Sequence, residues 1–468
     1  MASAIETVNV VEQRRVSPPP GSVPPARLTL TYFDVLWLQS PPVQQIFFYD
    51  FSGSTQDFRD SHFPLLERSL SLALTLFYPL AGRLVPLTDS YPNDHVILYS
   101  EGDSVSLTLA ESRADFACLV RNQAKEAEEF HSLASPLFPL SSGDTEGKQE
   151  TPLVAFQVTV FPRSGICIGF TVKHVVTDGF GGTHFLKSWA SIFKAGGDVT
   201  VVKTLPVYDR ALVGDLEHLK RNYLKTMKKE TETPRASLSE LQPEQAQLDR
   251  ATRSTYVLTR THIQKLRDQI SATGGQSVGP RLSTFTVTCA YVWACLAKSR
   301  AMPQDRPTFY FGFAVDCRPR LDPPVPESYF GNCIGSTLIE ASQAELTGEN
   351  GLAAASKTIR RAIRQLDKGV LEETDYTFRK WEEVRKVRAL SIAGSPRFLV
   401  YEMDFGWGRP RKVEIVSIDL NEAMSLAESR DEEGGVEIGV VGPRDEMQRF
   451  TSYFEEGLPD MGKTPNVA

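Results

Sequence analysis

The sequence predicts a mixed α/β protein built as two halves, on three observations. Runs rich in β-branched and aromatic residues occur at 153–160 (LVAFQVTV) and 166–176 (ICIGFTVKHVV), and again near the end, where Val436, Ile438 and Val440 alternate. Apolar residues recur at helical spacing in both halves: Leu66, Leu70, Ala73 and Phe77, then Leu352, Ala355, Ile359, Ile363 and Leu366. Between them, residues 215–250 are rich in Glu, Lys and Gln and poor in β-branched residues, the composition of a connection rather than a core. The expected division is 1–214, a linker over 215–250, and 251–468.

Each element has its own reason. The proline-rich lead-in at 17–26 (SPPPGSVPPA) cannot be regular structure. The helix over 63–77 ends where Pro79 and Gly82 break it. FPRSG separates the two β-rich runs as a turn would, so they are expected to pair antiparallel, with His174 near the end of the second strand. The basic stretch 220–229 (KRNYLKTMKK) adjoins acidic residues and reads as a solvated helix or linker. RLSTFTVTCAYVWACLAKS (281–299) reads as a β-rich start continuing into a buried helix. MSLAES, RDEEGG and VEIGVVG near the C-terminus read as a hairpin.

Composition removes several function classes. The 468 residues are 41% apolar and 23% charged, with a net charge of −7. That balance suits large cores and gives no general attraction to nucleic acid or an anionic membrane. The six cysteines are dispersed without a CxxC pair, unlike a zinc module or a disulfide scaffold. The N-terminus lacks the apolar core of a signal peptide, and the longest near-apolar stretch, around Leu70 to Ala81, is too short to span a bilayer. A cytoplasmic protein is expected.

Chemistry concentrates in two stretches. TVKHVVTDGFGG (171–182) holds His174 and Asp178 four residues apart. On a helix they would share a face, but Val175 and Val176 favour strand and Thr177-Asp178-Gly179 reads as a turn. No HExxH, histidine cluster or cysteine pair supplies further metal ligands. The residues alone leave His174 as a satisfied structural histidine, a general base or a metal ligand. In MDFGWGRPRKVE (403–414), Asp404, Gly406, Trp407 and Gly408 crowd a turn. Its plain reading is structural, with the aspartate able to hold a neighbouring loop.

Together, HxxxD at 174–178 and DFGWG at 404–408 resemble the BAHD family of plant acyl-CoA-dependent acyltransferases. LTYFDVLWL (30–38), SLSLALTLFYPLAGRL (69–84), LSTFTVTCAYVW (282–293), VDCRPRLDPPVP (315–326), YFGNC (329–333) and SIAGSPRF (391–398) extend the resemblance along nearly the whole chain. YFGNC and SIAGSPRF point to the branch that acylates anthocyanin, flavonoid and other phenolic glucosides, often with malonyl-CoA. The resemblance implies two chloramphenicol-acetyltransferase-like domains joined by a crossover loop, with the active-site channel between them. It implies His174 as general base, no bound cofactor or metal, an acyl-CoA cosubstrate, direct transfer in a ternary complex and a monomer. Asp178 would be a brace paired with Arg318, and the Asp404, Gly406, Trp407 and Gly408 turn would be structural. CoA contacts are expected at Arg281, Ser283, Thr284, Ser395 and Arg397, with oxyanion donors near Ser395 and Arg397. Acceptor contacts are expected at Phe33 and Trp37. Two features depart from the family pattern: Lys173 precedes the base, and Phe180, Gly181 and Gly182 stand where one branch carries an arginine for the malonyl carboxylate. A coumaroyl or acetyl donor, an amine acceptor, or a non-catalytic CoA-ester-binding relative are the alternatives.

Overall fold

The computed structural model describes residues 8–87, 90–137, 150–232, 251–273, 282–300, 308–367, 369–371, 380, 384, 389–420 and 423–458. A six-stranded sheet positions the site. Its strands lie in the order Asn9–Val16, Val105–Glu111, Val154–Phe161, Gly165–Val172, Val43–Asp50, Lys412–Ile415. All eight residues of both Val154–Phe161 and Gly165–Val172 are buried. That explains their near-continuous apolar sequences, because both faces are covered. The helices Phe63–Leu76 and Gly179–Lys194 contribute to this cover: Leu66, Leu70, Phe185 and Trp189 share one core with Phe156 and Phe170 of the sheet.

The two central strands pair antiparallel from Gly165↔Phe161 to Val172↔Val154. The Lys173 N–H to Leu153 C=O bond at 2.8 Å closes the ladder. His174 is not on the strand, as expected from sequence, but opens a single 3-10 turn, His174–Val176, just beyond it. The stretch after it is not a loop either. Gly179 starts a 16-residue helix that the sequence reading missed, because three glycines in the first turn suppress helix propensity.

A second sheet, ordered Ile392–Ala393, Met424–Glu428, Val436–Pro443, Ala251–Leu258, Lys125–Glu126, carries the other half. The expected C-terminal hairpin is there, with Leu426 opposite Ile438. Its core takes in the helices Arg260–Thr273, Thr284–Ser299, Gly351–Leu366 and Arg444–Glu456. The β-rich start expected within 281–299 is instead helix from Thr284, with the Ser283 hydroxyl accepting from the Thr286 N–H at 3.1 Å. Thirteen of the sixteen residues are buried, so packing on all sides outweighs the β preference of Val287, Tyr291 and Trp293.

The halves exchange strands. Lys412–Ile415 joins the first sheet beside Val43–Asp50, and Lys125–Glu126 joins the second beside Ala251–Leu258. Each sheet therefore draws a strand from the far side of the expected 215–250 connection. In the connection, Glu217–Glu232 is helical; residues 233–250 lie outside the described residues. Lys220 corrects the expectation of a wholly solvated basic stretch: it is buried and paired with Asp94 at 3.1 Å. No helix among the described residues is long and apolar enough to cross a membrane.

Candidate active site

His174 lies where the two halves meet. Its Nδ1 is 3.1 Å from Oδ1 of Asn332, the asparagine of YFGNC. The orientation of that amide is fixed by its other contacts. Asn332 Nδ2 donates to the carbonyls of His174 (2.9 Å) and Val175 (3.2 Å) and to Asp34 Oδ1 (3.1 Å). Oδ1 therefore faces the imidazole as an acceptor, so Nδ1 carries the proton and Nε2 keeps a free lone pair. Asp34 is fully buried and also accepts from the Asn332 N–H at 3.0 Å. Its second oxygen accepts from the N–H and hydroxyl of Thr31, both at 2.8 Å, in a capping box on the short helix Tyr32–Val35. Burial pushes the His174 imidazole below the ordinary histidine range, and its own backbone, Asp178, Asn332 and Asp34 offset only part of that. In this neutral tautomer the proton-accepting nitrogen is Nε2.

Asp178 is committed to other partners. Its carboxylate takes Arg318 Nη1 at 2.8 Å and Nη2 at 3.2 Å, a two-pronged pair with both side chains essentially unexposed. It also accepts the N–H groups of Phe180 (3.1 Å), Gly181 (3.2 Å) and Cys333 (3.1 Å). The first two are orphan donors of the Gly179–Lys194 helix, which Asp178 caps. With five donors on two oxygens, little capacity is left for the imidazole. Arg318 also donates to the Tyr329 carbonyl at 3.1 Å, and Arg210 holds the Tyr329 hydroxyl (2.8 Å) and the Phe330 carbonyl (3.1 Å). Residues 329–333 are thus clamped from several sides. At Gly179 an added Cβ would lie 2.5 Å from the Phe398 ring, so a larger residue there would force that ring to shift.

The DFGWG turn sits at the far end of the same helix. Asp404 Oδ1 accepts from the N–H groups of Gly406 (2.7 Å) and Gly408 (2.9 Å), while Oδ2 takes Lys194 Nζ at 2.6 Å. Burial alone would raise the Asp404 carboxyl; Lys194 and the two N–H groups hold it below the usual carboxylate range. Gly406 and Gly408 have φ of 98° and 86°, conformations that favour glycine. Phe405 and Trp407 pack against Trp189, Phe193 and Tyr49. Sixteen residues at a 1.5 Å rise put this turn about 24 Å along the helix from the Asp178 end.

The sequence model of the transferase family matches residues 6–457. A malonyl-coenzyme A:anthocyanin 3-O-glucoside-6''-O-malonyltransferase of Dahlia pinnata is 37% identical, covering 97% of this chain and 98% of that protein. Phenolic glucoside malonyltransferase 1 of Arabidopsis thaliana is 38% identical over the same shares. The chain is a BAHD-family acyltransferase. Its architecture is also that of the vinorine synthase crystal structure, at a TM-score of 0.66 and 20% identity over 97% of both chains.

The remaining expected site residues of this acyltransferase fall in several places. Ser395 caps the turn Pro396–Phe398, its hydroxyl accepting from the Arg397 N–H at 3.2 Å. Phe398 of that turn packs edge-on against Phe180, so the segment adjoins the start of the helix that Asp178 caps. Arg397 is exposed. Ser283 and Thr284 are helix-start residues rather than strand residues, and the Thr284 hydroxyl accepts from Arg267 Nη2 at 2.9 Å. Arg281 lies outside the described residues. Trp37 stacks on the His174 ring. Phe33 has no exposed surface and packs among Tyr32, Cys317, Tyr329 and Cys333; it is core, because a side chain without exposed surface cannot line a pocket. Sequence reasoning missed Asn332 and Asp34. Both lie inside quoted segments, YFGNC and LTYFDVLWL, but no spacing rule links residues 298 positions apart. Among the described residues, no three His, Cys, Asp or Glu side chains gather as a metal site would.

Proposed function

We propose that the enzyme moves a malonyl group from malonyl-CoA to a hydroxyl of a phenolic or flavonoid (anthocyanin) glucoside, with His174 as general base. The observation that carries the chemistry is the His174–Asn332 contact, which leaves Nε2 as the free lone pair of a neutral ring. The substrate class is supported by the activities named for the relatives, at 37% and 38% identity over nearly full length.

Nε2 takes the proton of a sugar hydroxyl as the oxygen attacks the thioester carbonyl. The tetrahedral oxyanion collapses, the C–S bond breaks, and the imidazolium returns its proton to the departing thiolate. Holding both substrates in one ternary complex contributes several kcal/mol through proximity. Ser395 is the proposed oxyanion donor, because its hydroxyl accepts the Arg397 N–H and keeps its own proton to give. The exposed Arg397 beside it, together with Arg281, Ser283 and Thr284, is proposed to meet CoA. Asp178, Arg318, Asp404 and the DFGWG glycines are proposed as braces.

The test crosses malonyl-, acetyl- and coumaroyl-CoA with flavonoid and simple phenolic glucosides, reading free thiol. Malonyl-CoA with a glucoside is expected to turn over fastest, and His174→Ala to reduce turnover by about 10²–10⁴-fold. Faster transfer from coumaroyl-CoA, or to an aglycone or amine, would reassign the substrate. Wild-type turnover by His174→Ala would remove the base assignment.

A further inference from the structure

One aromatic ring in the site has a contact that core packing does not account for. The Trp37 indole lies 3.9 Å from the His174 imidazole, centroid to centroid, at an interplanar angle of 12°. This is a parallel stack over one face of the base. The Trp37 Nε1–H is buried and has no hydrogen-bond partner among the described residues. Buried indole N–H groups normally find one, and leaving one bare is costly. No bond to the polar atom therefore holds the indole in place; the interaction its position satisfies is the stack. The Trp37 backbone N–H donates to the Asp34 carbonyl at 3.1 Å. The residue that anchors Asn332 on one nitrogen of the base thus also anchors the ring on its face.

We propose that Trp37 is a positioning residue of the transfer reaction: its indole fixes the plane of the His174 ring and stabilises the imidazolium formed when that ring takes the acceptor's proton. The inference rests on His174 being the base. The Asn332 contact holds one edge of the imidazole at Nδ1, and a parallel ring against its face holds its plane. The face of an indole is electron-rich, so it favours the cationic ring over the neutral one.

The charged groups around the base leave a need for such help. Asp178 and Asp34 both favour the cation. Asp178, however, is already paired with Arg318, and Arg210 Nη1 stands 3.9 Å from Asp34. Burial opposes protonation. An uncharged face that prefers the imidazolium lowers the barrier to proton uptake without adding a counter-charge that would trap the proton afterwards.

The test is the pH dependence of kcat/KM. The acid limb, where the base becomes protonated in the free enzyme, is compared in the wild type, Trp37→Phe, Trp37→Leu, and wild type grown on singly and multiply fluorinated tryptophan. Fluorination drains the ring face while nearly preserving its size, so it separates the stack from water entry. The acid limb is expected to move to lower pH with each added fluorine, by about half to one unit in all. In Trp37→Phe, which retains the other four of the five tryptophans, the fluorine effect is expected to vanish. Trp37→Leu is expected to lose about tenfold in kcat, with Trp37→Phe between. An acid limb that ignores fluorination, or a fluorine effect that persists in Trp37→Phe, would overturn the inference. If His174→Ala is inactive and the limb stays fixed, only the role of Trp37 fails. If His174→Ala is fully active, the base reading itself fails.

Discussion

Replacing Asp178 by asparagine separates a brace from a member of a catalytic triad. The Asp178–Arg318 pair is 0% and 1% exposed. In Asp178→Asn, one oxygen can still cap the Phe180 and Gly181 N–H groups. The new amide nitrogen would face two donors that Oδ2 now accepts, the Cys333 N–H and Arg318 Nη1. Removing one partner of a buried pair costs about 3–5 kcal/mol, because the other charge is left uncompensated. Arg318 keeps Asp316 Oδ1 at 3.4 Å and the Tyr329 carbonyl at 3.1 Å, which places the loss near the lower end, about 3 kcal/mol. That is about two decades in the folding equilibrium at 1.36 kcal/mol per decade. Urea unfolding followed by fluorescence would read it as a lowered midpoint, and kcat per folded molecule should stay within about tenfold of wild type. Loss of a triad aspartate would instead cost about 10⁴ in kcat. Unchanged stability with a fall of that size would refute the reasoning.

Two further outcomes follow from the same geometry. Asn332→Leu keeps the branched side-chain shape but removes the Nδ1 acceptor, so kcat should fall about tenfold, near 1.4 kcal/mol, with the CoA-ester KM little changed; a wild-type kcat would show that the amide does not set the tautomer. Gly179→Ala drives a Cβ to 2.5 Å from the Phe398 ring, an overpacking cost of about 1–3 kcal/mol partly offset by alanine's better helix propensity; Phe398→Ala should rescue it in the double variant, and failure to rescue would place the strain elsewhere.

How far the sequence reached depended on whether a pattern was local. The helix spacing at Leu66, Leu70 and Ala73 and the alternation at Val436, Ile438 and Val440 are local, and both elements formed as read. The start of the 284–299 helix and the whole 179–194 helix were misread or missed. In one, β-formers sit where burial on all sides decides the structure; in the other, glycines in the first turn mask an otherwise regular capped helix with Phe185, Leu186, Trp189 and Ile192 inward. His174 stood out through its motif, but the two groups that shape its chemistry could not. Asn332 reaches it from the other half, and Asp34 reaches Asn332 from near the N-terminus. Such a relay is a tertiary fact, and a single chain carries no periodicity that marks it.

The relay also gives the strand exchange a chemical consequence. The tautomer of the proposed base depends on a 3.1 Å contact across the meeting of two halves, so it depends on the halves keeping their register. Lys412–Ile415 follows the DFGWG turn directly and crosses into the first sheet. Its charged residues are anchored from the second: Glu414 accepts from Arg253 at 3.2 Å, and Lys412 donates to Glu437 at 3.3 Å. Arg253 also reaches Asp419, which meets His131 of the first half at 3.0 Å. All but His131 are nearly buried, so parting the halves would expose strand edges and strand unpaired charges together. The DFGWG turn is one helix length from the base. On this account it serves catalysis by fixing where the crossing strand begins: Asp404 ties that point to Lys194, at the other end of the helix that Asp178 caps beside His174.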